Sequence, residues 1–158
     1  LPQLPYWIQA VAGGLRRGAM LFVDYGYTRA EFYQDDRRDG IVRAFYRHRV
    51  HNDVYRWPGL QDITASVDFT ALAEAGTGAG FDLAGYCHQA GFLFGNGITA
   101  LLEDADERTD EVGRVRLREQ FKRLTLPTEM GERFQVMGFS RDVDLSAAFA
   151  MGDLTWRL

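Results

Sequence analysis

Cysteine is almost missing from this 158-residue chain; Cys87 stands alone. A single thiol closes no intrachain disulfide, so the chain is expected to fold without covalent staples, in a reducing compartment. Lysine is as scarce: of 18 basic residues, 17 are arginine and Lys122 is the exception. That bias fits a GC-rich genome better than an arginine-specific function. No apolar run approaches the ~20 residues that span a bilayer, which argues against membrane insertion. No basic stretch leading into an apolar one marks a secretion signal. The three histidines and the cysteine do not form the paired ligand motifs of zinc sites, so no metal is expected. No Gly-x-Ser-x-Gly elbow nominates a serine nucleophile. The acidic excess leaves a net charge of −4 and a pI near 5.4, which argues against nucleic acid as a partner.

What is present is enough for a packed core. The chain is 46% hydrophobic and 13% aromatic, far from the composition of disordered chains, and its length suits one domain of ~150 residues. It opens on Leu1-Pro2-Gln3 without Met, and is expected to be a piece of something longer. Residues 6–17 carry Trp7, Ile8, Val11 and Leu15 at helical spacing, with Gly18 as the stop. The run 19–23 predicts a short strand buried on both faces, ending at Asp24. Residues 35–40 read as an exposed turn and 41–48 as a strand. Ile63, Ala65, Val67 and Phe69 alternate with Asp62, Thr64, Ser66 and Asp68, the period of a half-buried strand. Together 41–48 and 62–68 form an antiparallel excursion beside the main sheet. Asp68 is placed to cap a helix over 69–75, broken by Gly76, Gly78 and Gly80. A strand at 81–88, helical periodicity at 92–102, an exposed acidic connection at 103–111 and a charged helix over 112–124 follow. That last helix turns Val115, Phe121 and Leu124 inward. A strand at 134–139 and a weakly patterned tail complete the chain.

Candidate chemistry is sparse. Gly76-x-Gly78-x-Gly80 looks like a phosphate cradle but follows a helix, so it reads as a helix-to-strand turn. Cys87 has no partner to make it a nucleophile and reads as a buried thiol. Arg43, Arg47, Arg49 and Arg56, mixed with His48, His51, Tyr46 and Tyr55, form either a solvated face or a clamp for an anionic ligand or acidic partner. Asp24 closes a strand at the edge where α/β sheets bind ligands, and also suits a backbone-bonded turn residue. Asp62, Thr64 and Asp68 share one strand face, where capping and solvation explain them equally well. The residues alone lead to an α/β domain with an acidic cleft.

Five segments then occur in register: GAMLFVDYG at 18–26, RAFYRHRVH at 43–51, PGLQDITASVDF at 58–69, HQAGFLFGNGI at 88–98 and LPTEMGERFQVM at 126–137. Over about residues 1–140 the chain resembles the carboxyl-terminal half of the MidA-like family of S-adenosylmethionine-dependent methyltransferases. The resemblance implies the later half of a Rossmann-like class I methyltransferase sheet. In it 20–24 is the fifth strand, 81–89 and an antiparallel 134–139 are the last two, and an antiparallel strand pair is inserted within about 27–68. It implies S-adenosylmethionine as cofactor, with the Gly-rich cofactor loop upstream of Leu1. No cofactor-binding residue is therefore assigned, and the 158 residues alone are expected to be inactive. It implies arginine of a protein substrate as acceptor, a complex I subunit in mitochondrial members. The expected location is the bacterial cytoplasm, or the mitochondrial matrix for a eukaryotic member. Ser66 stands where the family often has His. A guanidinium keeps its proton beyond pH ~12. On this reading Asp24 and Asp62 hold it, His48 relays the proton, and Tyr25, Thr64 and Phe134 line the substrate channel. A non-catalytic assembly scaffold and a small-molecule methyltransferase stay open, separated by whether the cofactor binds.

Overall fold

The computed structural model describes residues 1–34 and 41–158; the turn expected at 35–40 lies outside them. Helix α1, Leu4–Gly13, carries Pro5 in its first turn, where a missing N–H costs nothing. It buries Ile8 and Ala12 and leaves Trp7 and Val11 exposed. The Gly13-Gly14 pair ends it four residues earlier than the spacing suggested, and Gly18 opens the next strand instead of stopping the helix. That strand, β1, spans Gly18–Tyr27. It is longer than expected and does not end at Asp24. It is also covered on one face only: Met20 is buried, whereas Leu21 and Val23 are 48% and 49% exposed. A continuous apolar run implies two covered faces only when a layer lies on each side.

After the short helix α2, Arg29–Phe32, come β2, Val42–Tyr46, β3, Arg49–His51, β4, Asp62–Ala65, and β5, Val67–Asp68. The antiparallel excursion is present as a separate three-stranded sheet in the order β3-β2-β4. Arg47 and His48, both at positive φ, make the tight turn into β3, a strand the sequence reading did not mark. The alternating stretch 62–68 is two strands, not one. β4 pairs with β2, and beyond Ser66 the chain joins the main sheet as β5, parallel to the end of β1. Period-2 spacing survives the change of partner, so it could not show the break. Ile63 consequently faces solvent, 59% exposed.

Asp68 caps α3, Phe69–Gly78, by accepting from the Ala71 N–H at 2.9 Å. The helix runs through Gly76, whose missing Cβ leaves room for Phe139. It is followed by β6, Asp82–His88, α4, Gln89–Gly95, α5, Ile98–Glu107, α6, Glu111–Thr125, and β7, Phe134–Arg141. The acidic stretch 103–107 belongs to α5, not to a connection. Val115 of α6 is 59% exposed, so Phe121 and Leu124 make that helix's inward face without it. The main sheet runs β5-β1-β7-β6, with β7 antiparallel to both neighbours. Ile8, Ala12, Phe69, Leu72, Met137 and Phe139 pack into the core between one sheet face and α1 and α3. On the other face, Phe149 from the tail closes over Cys87 and Val136.

Candidate functional site

β1 and β6 run in the same direction, and both end on the same side of the main sheet, at Tyr27 and His88; β7 starts there at Phe134. Carboxyl ends of parallel strands are where open α/β sheets leave a crevice. The small sheet overhangs that crevice, because β4 leads directly into β5 at its rim. Three cavities of about 400–440 Å³ meet there, and Tyr25 lines all of them. In the first, Tyr25 and Phe134 face Phe45 and Thr64 of the small sheet. In the second, His48 and Asp62 join Tyr25 and Thr64. The third is more polar and includes Ser66, Tyr86, His88, Gln135, Glu31 and Arg157.

The fold thus brings Tyr25, Thr64, Phe134, Asp62 and His48 around one cleft. Tyr25 and Phe134 are opposed in the ladder, and their rings meet edge to face at 5.7 Å. Burial, then the neighbouring charge of Asp24, raises the Tyr25 phenol above its ordinary pKa, so it stays protonated at neutral pH. Asp24 is placed differently. It lies within β1 opposite Gln135, and its Oδ1 accepts the Tyr25 N–H at 2.8 Å, while the cleft walls are built from other residues. Asp68 is occupied as the α3 cap and lies 3.6 Å from Arg29. Cys87 is buried and its thiol is pushed up to about 11, chiefly by burial, so it is no thiolate nucleophile at neutral pH.

The third cavity holds residues that the sequence reading passed over. Gln135 is 5% exposed; its Nε2 donates to the Glu132 carbonyl at 3.0 Å, while Oε1 is buried with no partner among the described residues. His88, opposite Gln135 in the ladder, has a buried Nδ1 with no partner among the described residues. Buried polar atoms left unpaired cost ~1–3 kcal/mol each, so this corner suits a ligand bearing N–H or O–H groups. A glutamine between Phe134 and Val136 in an apolar strand was the available signal. One wall is set by Glu31, whose Oε2 accepts the Thr28 N–H and hydroxyl at 3.2 and 3.0 Å and whose Oε1 receives Arg157 at 2.5 Å. Burial pushes this carboxyl up, but the Thr28 and Arg157 contacts outweigh it and hold the pKa below the ordinary value.

No Gly-rich loop follows a strand among the described residues. The Gly76-x-Gly78-x-Gly80 series passes through the end of α3, with Gly76 sealed under Phe139, so it offers no cradle to a phosphate or ribose. No group of three or more metal-ligating side chains is found among the described residues. None of the described helices is long and apolar enough to cross a membrane.

Known proteins share this fold. A crystal structure from Burkholderia thailandensis bound to S-adenosyl-homocysteine superposes with a TM-score of 0.91 at 43% identity, over 98% of this chain and 40% of that one. A native crystal structure from the same organism superposes at 0.90, also with 43% identity, over 98% of this chain and 41% of its own. Among curated relatives, protein arginine methyltransferase NDUFAF7, mitochondrial, from Danio rerio is 36% identical over 75% of this chain and 26% of its own length. The Homo sapiens protein of that name is 35% identical over 76% of this chain and 25% of its own. The chain therefore spans about a quarter of the length of these curated relatives. The fold is the β5-β1-β7-β6 part of a methyltransferase sheet, as the sequence resemblance implied. Residues 1–87 match the model of the family described as "Putative S-adenosyl-L-methionine-dependent methyltransferase", and the chain belongs to that family.

Proposed function

We propose that this chain is the acceptor-binding, carboxyl-terminal part of a single methyltransferase domain. The whole protein would transfer a methyl group from S-adenosylmethionine to arginine of a protein substrate, a respiratory complex I subunit. The observation that carries the reading is the Tyr25-centred cleft at the carboxyl ends of β1 and β6, with Asp62 and Thr64 supplied by the overhanging small sheet. The curated relatives are named protein arginine methyltransferases, which supports arginine as the acceptor. The Burkholderia structures are more similar in sequence than the mitochondrial relatives, which supports a bacterial protein acting in the cytoplasm.

The cofactor supplies an electrophilic methyl group. The described residues hold no Gly-rich loop after a strand, so this reading assigns their chemistry to the acceptor side. A guanidinium is cationic and planar, and methylation at nitrogen requires a free lone pair and loss of a proton. Carboxylates grip such a group through paired N–H contacts and balance its charge. Asp62 takes that role at the cleft mouth, with Thr64 beside it and His48 as the proton's exit. Tyr25 and Phe134 present ring surface to the flat faces of the guanidinium. Asp24 acts one step back, fixing the Tyr25 backbone through its amide bond. Most of the rate enhancement then comes from holding the acceptor nitrogen in line with the methyl group.

Asp62→Asn in the intact enzyme tests this. The side chain keeps its shape and loses its charge, so kcat/KM for an arginine acceptor should fall ~10²-fold or more, with S-adenosyl-homocysteine binding unchanged. A methyl-transfer rate equal to wild type would remove Asp62 from the reaction.

A further inference from the structure

The small sheet has a second face that the cleft does not use. Trp57 stacks there on Tyr46, ring centroids 4.4 Å apart, with the His51 ring edge-on at 5.3 Å. The Arg56 guanidinium lies 4.4 Å over Trp57, and that of Arg47 lies 5.4 Å from the Tyr46 centroid. With Arg49 these residues line a cavity of about 590 Å³ whose wall has no carboxylate among the described residues. Both ring nitrogens of His51 are buried there and unpartnered among the described residues. Residues 43–56 hold four arginines against one acidic residue, Asp53, in a chain whose net charge is −4. Asp53 is occupied locally, its Oδ1 accepting the Tyr55 N–H at 3.1 Å.

We propose that this face is an oxyanion site that takes carboxylate side chains from an acidic segment of the acceptor polypeptide. Three guanidiniums around one cavity repel each other unless an anion joins them, and the guanidinium fork matches a carboxylate in two parallel bonds. The Tyr46–Trp57 stack gives the aliphatic part of a Glu or Asp side chain an apolar floor. Arg47 connects the two sites, since it also lines the cavity that holds His48 and Asp62. An extended polypeptide advances ~3.3 Å per residue, so an acceptor with its arginine in the cleft carries neighbouring residues past the β2–β3 turn. A long nucleic-acid polyanion fits less well, because it needs a continuous basic track and the rest of this chain carries net negative charge. The acceptor half of this inference rests on the proposed function; the oxyanion half does not.

The test is direct binding, which needs neither cofactor nor methyl transfer and so stands or falls apart from that function. In the 158-residue chain carrying Trp7→Phe and Trp156→Phe, Trp57 is the one tryptophan left and reports on the cavity. Hexaglutamate should change its fluorescence saturably, hexaglutamine should not, and inorganic phosphate should bind at least ~10-fold more weakly. Arg49→Glu with Arg56→Glu should abolish the response with the circular dichroism unchanged. The charge control Arg116→Glu with Arg123→Glu, on exposed positions of α6, should retain it. A response that survives the Arg49, Arg56 pair, or no response to hexaglutamate, overturns the site. Phosphate binding tighter than the peptide keeps an oxyanion site but overturns its assignment to an acidic polypeptide.

Discussion

Gly26 decides how closely β1 and β5 approach. A Cβ at this position would lie 2.3 Å from the Val67 carbonyl oxygen and 2.7 Å from the Phe69 ring. The carbonyl belongs to the residue paired with Gly26 across the two strands, and Phe69 is fully buried, so neither can step aside cheaply. Overpacking of this kind costs ~1–3 kcal/mol. Gly26→Ala is therefore expected to lower unfolding free energy by about 2 kcal/mol in a urea titration. A loss below about 0.5 kcal/mol would mean that β5 moves away without penalty. The sequence reading ended the strand at Asp24, a residue type that also suits a turn. Gly26 serves that strand instead, as a place where another backbone comes close. Gln135 was legible only in part: a polar residue in an apolar strand marks the position, but only the ladder shows that it stands beside His88 and Asp24.

Arg141 works at the scale of elements. The guanidinium at the end of β7 donates to the Leu15, Ala79 and Gly80 carbonyls at 2.8, 2.6 and 3.2 Å, and lies 3.8 Å over the Phe81 ring. One side chain thus satisfies carbonyls just beyond α1 and α3 together, where positive charge also suits the helix dipoles. Hydrogen bonds to charged groups contribute ~1.5–3 kcal/mol. Arg141→Ala should cost about 2–3 kcal/mol, and Arg141→Lys should recover less than half of it, since an ammonium cannot reach three divergent carbonyls. Full recovery with Lys would reduce the effect to charge alone; calorimetric melting of both variants decides it. Nothing in the sequence pointed to this clamp, because it joins positions more than 60 residues apart. Elements held by local rules were legible: the Asp68 cap, the β7 strand and the paired β2 and β4. Features set by partners far along the chain were not. These include the division of 62–68 between two sheets, the exposure of Val115 and the third strand of the excursion.

At the scale of the whole molecule, one asymmetry stands out. β1 pairs with β7 along Gly18–Tyr25, but on its other edge it meets β5 only at Gly26 and Tyr27. Backbone groups along most of that edge have no ladder partner among the described residues, and Leu21 and Val23 present half-exposed apolar side chains next to it. An edge that is long, apolar and uncharged invites pairing with another chain. The cleft opens at the end of this same strand, so whatever covers the edge also bounds the site. Two copies of the 158-residue chain can satisfy each other there, and the chain is expected to self-associate in sedimentation velocity as its concentration rises. Val23→Lys places a charge on the patch without touching the residues that line the cleft, and should shift the distribution toward monomer. The same substitution in the intact enzyme separates two uses of the surface. If the edge is covered by the rest of the domain, Val23→Lys lowers the melting temperature and leaves the protein monomeric. If wild-type chain stays monomeric at every concentration tested, the edge is no pairing surface in solution and the prediction is wrong.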